Sequence, residues 1–318
     1  MAKLIDIVDV IAGLNAWHAR RRIKVLDYQS DIVGKSFPGN FNVSGYHDEI
    51  LSLPDQPGKF WGVDKCLRVD DVPDRTRLQL FHMGIYAEAV DLHGVYQDPF
   101  SDATFIALQK RVLHQFFSCI RAKGVSTTRL EATYLGGATF GGTPRMPRTY
   151  TFPEDVVSRF WLDEAEITAR PVYSQHNIDL REEERSLVGP SVEVACRGTE
   201  IATIVFDCFR VRRATPSSFE LEPINYVGGY AIGIERLAYV ASEIKDVYVT
   251  SSLLERRSQL IDQAPAAETS LFGSETYAIL AGEDALAAIE GRSLSDNQER
   301  LANVLRKQVA KARKTLGA

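Results

Sequence analysis

The sequence predicts an α+β fold: a sheet with flanking helices, followed by a small helical C-terminal region. Three observations predict it. Lys65–Phe81 reads as a strand, a polar turn bearing Pro73 and a returning strand. Val192–Cys196 and Ile201–Phe206 are dense in β-branched residues, and Tyr226–Gly233 completes the sheet as a glycine-lined strand. After about residue 245 helical periodicity takes over, in residues 251–262, 275–288 and 295–316.

Taken in order, residues 3–20 place Leu4, Ile7, Val8, Ile11, Leu14 and Trp17 at helical spacing. Arg20–Arg22 read as the solvated end of that helix, where positive charge is favourable, with an RNA contact as the alternative. Ile23–Leu26 is a short strand, and residues 34–59, rich in Gly, Pro, Asn and Asp, read as loop. His82 follows Phe81 and so points to the other strand face, as a core or surface histidine. Residues 101–122 carry Phe105, Leu108, Val112, Phe116, Cys119 and Ile120 on one helical stripe, which Gly124 stops. Arg129–Leu135 is a strand. Gly136–Gly142 lacks the Gly-Lys-Ser/Thr ending of a phosphate loop and runs into Pro144 and Pro147, so it reads as a flexible loop, a lid over the site. Residues 153–164 are helical, with Pro153 near the first turn. The last helix opens with Ser295 as a cap and early acids, and ends with Arg306, Lys307, Lys311, Arg313 and Lys314. Those cations either complement the helix dipole or offer a face to RNA or to an acidic carrier.

With 318 residues the chain can hold one large domain or two modest ones, and the change of pattern divides it into residues 1–245 and 246–318. It is 45% hydrophobic and 25% charged, ordinary for a globular protein, and its net charge of -5 gives no global basic field for nucleic acid. Cys66, Cys119, Cys196 and Cys208 form no CxxC pair and sit in apolar runs, so they read as core fillers; a scattered zinc site stays open. Asp6 and Asp9 interrupt the N-terminal apolar stretch, unlike a signal peptide, and no run approaches the roughly 20 residues of a membrane span. Reduced thiols and no leader point to the cytoplasm.

Two stretches carry the chemistry. Gly229, Ala231 and Gly233 fall at every second position of one strand, which strips one face of bulk and lets a flat ligand lie against the backbone. Glu235 and Arg236 follow, with a helical continuation, and an arginine there is a fork for phosphate or a plate for a ring. Far upstream, Arg68 and Asp70 share one strand face, and Arg77 and Phe81 share a face of the returning strand. Two arginines and an aromatic on one surface suit a triphosphate and a purine.

These stretches resemble motifs 2 and 3 of the class II aminoacyl-tRNA synthetases. Motif 2 is Arg-x-Glu, a loop, then Arg or His-x-x-x-Phe; Arg68-Val-Asp70 and Arg77-Leu-Gln-Leu-Phe81 fill it, with Asp for Glu. Motif 3 is met by Gly229 to Arg236. The catalytic core of alanyl-tRNA synthetase is the nearest resemblance. Lys65-Cys-Leu-Arg68 is similar to its Lys-Cys-Val-Arg, Gly189-Pro-Ser-Val-Glu-Val194 to its Gly-Pro-Cys-Ser-Glu-Ile, and Glu200-Ile-Ala-Thr-Ile-Val-Phe206 to its Glu-Ile-Trp-Asn-Leu-Val-Phe. The segments occur in the family's order across roughly residues 1–245.

The resemblance implies a mainly antiparallel sheet flanked by helices as the catalytic domain, residues 1–245, and ATP-dependent amino-acid activation through an aminoacyl-adenylate. It makes Arg68 and Arg236 the catalytic cations. Arg68 would hold the α-phosphate and the attacking carboxylate, Arg77 and Arg236 the terminal phosphates or the adenine, and Phe81 would stack on the base. Gly233 belongs to the same ATP site. Glu200, with Thr203 on its strand, would hold Mg2+, although the family has Asn where Thr203 stands. Asp179, Glu193, Gly229 and Ala231 fall at the amino-acid pocket. Gly229 occupies the position of the family's ammonium-binding Asp, so the substrate need not be alanine. The acyl acceptor is tRNA or, in an amino acid:carrier-protein ligase, a carrier protein; a regulatory paralogue without turnover is the third reading. A homodimer is possible, but motif 1, its usual element, is not legible.

Overall fold

A computed structural model describes residues 7–28, 46–67, 82–91, 98–180, 184–196, 198–241 and 274–316. Helix α1 (Ile7–Ala19) turns its Leu14, Trp17 and His18 inward, and β1 (Lys24–Val25) follows. A short helix, α2 (His47–Ser52), and β2 (Lys59–Lys65) come next. Then follow β3 (His82–Val90), α3 (Ala103–Ala122), β4 (Leu130–Leu135), β5 (Ala138–Gly141), β6 (Thr149–Phe152), α4 (Val156–Glu164), β7 (Thr168–Val172) and β8 (Ile178–Asp179). Three long strands, β9 (Leu187–Cys196), β10 (Thr199–Thr215) and β11 (Ser218–Gly233), form the centre. Helix α5 (Ile234–Ala241) continues directly from β11, and α6 (Ser274–Ile289) and α7 (Asp296–Leu316) form the C-terminal pair.

Among the described residues the main sheet runs β1-β2-β3-β11-β10-β9-β4-β7, with β8 pairing β9. Only its outer pairs, β1 with β2 and β4 with β7, are parallel. The fold is therefore α+β with a large, mostly antiparallel sheet flanked by helices. Lys65 of β2 faces His82 of β3 at one end of an antiparallel pair, and the hairpin expected over Lys65–Phe81 falls almost wholly outside the described residues. Arg68, Asp70, Arg77 and Phe81 themselves, and the expected helix at 251–262 and the boundary at 245, lie outside the described residues.

One face of the sheet is packed by helices. Phe105, Leu108, Val112, Phe116 and Ile120 of α3 are buried on the period expected from the sequence. The helix sits close because Gly228 has no side chain: a Cβ there would lie 2.9 Å from Val112 Cγ2 and 3.0 Å from Leu108 Cγ. Asp102 caps the helix, accepting from the Thr104 N–H at 2.7 Å, and Gly124 ends it at φ +84°. Truncating a fully buried ring such as Phe116 to Ala would cost about 3–5 kcal/mol. His18 is also buried here, stacked on Trp61 at 3.8 Å. Its Nδ1 lies 2.8 Å from the Leu14 carbonyl, which can only accept, so Nε2 accepts from the Tyr230 hydroxyl at 2.8 Å. Burial pushes the His18 imidazole down to about 4.

Two sequence expectations need correction. Gly136–Gly142 is not a flexible lid: β5 pairs with β6, and Phe140, Met146 and Phe152 are buried in a cluster with Leu135, Val188 and Val211. Residues 34–59 are not all loop, since α2 stands within them. It is a six-residue helix without a side-chain cap, entered through Tyr46 at φ 54°, so neither periodicity nor a cap announces it.

The C-terminal pair builds its own core from Ile279, Leu280, Ala285, Ala302, Leu305 and Leu316. Leu67, just beyond β2, is 1% exposed and belongs to that core. Ser295 and Gln298 close a capping box at the start of α7: the Ser295 N–H donates to Gln298 Oε1 at 2.9 Å and the Gln298 N–H to Ser295 Oγ at 3.4 Å. All four cysteines are buried and form no disulfide, as small core residues. Among the described residues no helix is long and apolar enough to cross a membrane.

Candidate functional site

The face of the sheet away from α3 carries a cavity of about 310 Å³. Asp179, Glu193, Glu200, Thr203, Gly229, Ala231, Gly233 and Arg236 all line it, so every sequence candidate among the described residues is brought to one place. The register explains the convergence. Ile85 pairs Ala231, Ala231 pairs Thr203, and Thr203 pairs Glu193, so these four residues form one row across four strands. The next row is Ala87, Gly229, Val205 and Ser191. Cross-strand neighbours share a face, and so do residues two apart. The centre of the floor is consequently Gly229, Ala231 and Gly233, the low strip read from the sequence.

Gly229 is held low by its neighbour. A Cβ at this position would come within 2.4 Å of the Tyr86 carbonyl oxygen, a backbone atom that cannot swing aside. No side chain can be carried here without moving β3.

At one end of the floor, β11 passes directly into α5, which positions Glu235 and Arg236. The Arg236 side chain is 4% exposed; its Nη1 donates to the Glu200 carbonyl at 3.2 Å and lies 3.3 Å from Glu200 Oε2. The other carboxylate oxygen, Glu200 Oε1, accepts from Thr203 Oγ1 at 3.1 Å. Residues three apart on a regular strand point to opposite faces. Here the ladder between β10 and β9 shifts register between Glu200 and Ala202, and that bulge puts Glu200 and Thr203 on one side.

Glu235 looks the other way. Its Oε1 is 2.6 Å from His82 Nδ1, and its Oε2 accepts from the His82 N–H at 3.3 Å. This ties the first residue of β3 to the start of α5. The Tyr28 ring stands 6.0 Å from the His82 ring; burial first, then the Asp64 and Glu235 carboxylates, push its hydroxyl up to about 12.

The other end of the floor is closed by Asp207, Val227, Ser186 and Leu187. Asp207 is buried at 2% exposure and pairs Val227 in the β10–β11 ladder. Asp179 stands on a side wall, paired to Gly189 of β9. On the same side His176 Nε2 lies 3.0 Å from Glu193 Oε2. His47, Ile50 and Leu51 of α2 make the opposing wall. Sequence reading did not single out Asp207, His176 or α2. Asp207 had a signal, since it continues the odd-numbered face of Thr203 and Val205.

Among the described residues no three Asp, Glu, His or Cys side chains gather as a metal cluster. A lone carboxylate still fits Mg2+, which takes one or two protein carboxylates and draws its other ligands from phosphates and water. Glu200 is 40% exposed at the cavity, with the Thr203 hydroxyl beside it.

No protein-family model matches the chain, and no curated protein matches it significantly in sequence. Among solved structures it is similar to an aspartyl-tRNA synthetase from Entamoeba histolytica, at 11% identity and TM-score 0.37 over 77% of this chain and 56% of that one. The asparaginyl-tRNA synthetase of Entamoeba histolytica in complex with asparaginyl-adenylate is similar at 12% identity and TM-score 0.39, over 76% of this chain and 64% of that one. The asparaginyl-tRNA synthetase of Pyrococcus horikoshii, also with asparaginyl-adenylate, is similar at 12% identity and TM-score 0.33, over 76% and 66%. The chain spans 56% and 64% of the length of the first two.

Proposed function

We propose that the chain is a class II synthetase-like ligase, which activates an amino acid with ATP to an aminoacyl-adenylate and passes the acyl group to tRNA. The observation that carries the reading is the floor of Gly229, Ala231 and Gly233 ending at the buried Arg236, which Glu200 fixes in place. A flat adenylate needs such a floor, and its phosphate needs an oriented cation at one end.

The reaction joins a carboxylate to the α-phosphorus of ATP as pyrophosphate departs. Both reactants are anionic, so holding them together and offsetting their charge lowers the barrier without a protein nucleophile. Arg236 offsets phosphate charge. Glu200 orients Arg236 through its carbonyl and carboxylate. Mg2+, held by Glu200 with Thr203, would supply further charge neutralisation when bound. Asp179 and Asp207 give the cavity walls that can receive the substrate ammonium in place of the side chain Gly229 lacks. In this reading Arg68, Arg77 and Phe81 complete the ATP site as the motif resemblance implies.

Hydroxylamine trapping tests the reading. The full chain with ATP, Mg2+ and the cognate amino acid should form an acyl-hydroxamate with release of AMP and pyrophosphate. Hydroxamate formation that proceeds equally without ATP would overturn it.

A further inference from the structure

A second cavity, of about 410 Å³, lies on the helix-covered face of the sheet, where Tyr86 and Glu88 of β3 meet α3 and α4. Its chemistry is the reverse of the first. Arg21, Lys59, Lys110, Arg111 and His114 line it, and they come from three separate places: the turn after α1, strand β2 and helix α3. One carboxylate, Glu88, stands among them, 3.3 Å from Arg111 Nε. Arg21 is held over the Trp17 ring at 3.6 Å and donates to the Trp17 carbonyl at 3.3 Å, which fixes its position. Lys59 and Lys110 are exposed and have no carboxylate partner among the described residues. Trp161 forms part of the wall, and its indole Nε1 is buried with no acceptor among the described residues.

Four permanent cations and a histidine around one carboxylate repel each other unless an anion joins them. A concave site raises the local potential further and concentrates anions in it. The two exposed lysines at the wall are donors without a carboxylate partner among the described residues, which suits a ligand that accepts. We infer that this cavity binds a phosphate group, at a site separate from the proposed adenylate site and independent of it.

The test uses the full chain labelled with 15N, with the Trp161 indole signal assigned through Trp161→Phe. Inorganic phosphate is titrated at constant ionic strength. The expected result is a saturable shift of the Trp161 signal. Lys59→Glu with Lys110→Glu should weaken it by about tenfold or more, since each reversal replaces attraction with repulsion. Lys59 stands opposite Glu88 across the β2–β3 ladder, so Lys110→Glu alone, with a thermal melt beside it, separates lost binding from lost stability. A duplex RNA oligonucleotide that drives the same shift at lower concentration would identify a nucleic-acid backbone as the phosphate source. An RNA that leaves the phosphate shift unchanged would identify a free phosphate compound. The inference is overturned if phosphate gives no saturable shift, if acetate reproduces it equally, or if the double variant binds as well as the parent.

Discussion

Arg236 Nη1 donates to the Glu200 carbonyl at 3.2 Å and faces the Glu200 carboxylate at 3.3 Å, so one residue of β10 holds the guanidinium at two points. This predicts the behaviour of substitutions. Arg236→Ala should slow adenylate formation by about 10²–10³-fold, the loss seen when one preorganised electrostatic group is removed. Arg236→Lys should not restore the rate, because a point charge cannot match a planar fork. Glu200 is 40% exposed, so truncating Arg236 strands no fully buried charge and the variant should remain folded. Steady-state rates with a thermal melt check this; a folded Arg236→Ala within about twofold of the parent would remove Arg236 from the site.

Gly229 predicts a steric effect. A Cβ there would meet the Tyr86 carbonyl at 2.4 Å, so β3 and β11 would have to separate. Gly229→Ala should destabilise the chain by about 1–3 kcal/mol, the usual cost of overpacking, and raise KM for the nucleotide. Urea unfolding and a KM titration measure the two effects.

This site was partly legible in the sequence, for a simple reason. Period-two alternation is local, so Gly229, Ala231 and Gly233 could be read as one face, and Arg236 as the residue beyond it. The hydrogen bond between Glu200 and Thr203 is not local in that sense. It depends on a bulge set by β9, and strict alternation would have placed the two residues on opposite faces. The tie from His82 to Glu235 spans 153 residues and needs the β3–β11 register. The wall made by α2 has no periodic stripe to find, and the β5–β6 hairpin was hidden by glycines that read as a loop.

His18 predicts a pH dependence. Its folded pKa of about 4 lies below the ordinary value of 6.5, so the unfolded chain binds the extra proton between these values. Stability from this group is complete above pH 6.5 and falls as the pH drops toward 4, by about 3 kcal/mol in all. His18→Gln should flatten that part of the profile. Urea midpoints of both proteins between pH 7 and 4 test this, and parallel profiles would contradict it.

Helix α7 predicts a separation of charge from core. Ala302, Leu305 and Leu316 are buried with Leu67, so deleting the helix opens a core that includes the residue next to Arg68. Charge reversal is the cleaner probe. Arg306 pairs with Glu299 at 2.7 Å and Arg313 pairs with Glu283, while Lys307 and Lys314 are exposed and Lys311 lies between them on the same helix. If α7 meets a tRNA backbone, changing these three lysines to Glu should lower the salt dependence of tRNA binding. The slope should fall by about 0.9 log units per log unit of salt for each duplex phosphate that the lysines no longer neutralise. Adenylate formation should be unchanged. An unaltered slope would remove α7 from the acceptor interface.

Amino-acid activation, in the proposed function, takes place in the cavity between Arg236 and Asp207. ATP–pyrophosphate exchange, run with each proteinogenic amino acid in turn and with Mg2+, measures it directly. Exchange that depends on one amino acid, or a few of similar shape, and is lost in Arg236→Ala is the predicted result. A folded chain that exchanges no pyrophosphate with any of them, or exchanges equally with Arg236→Ala, would contradict it.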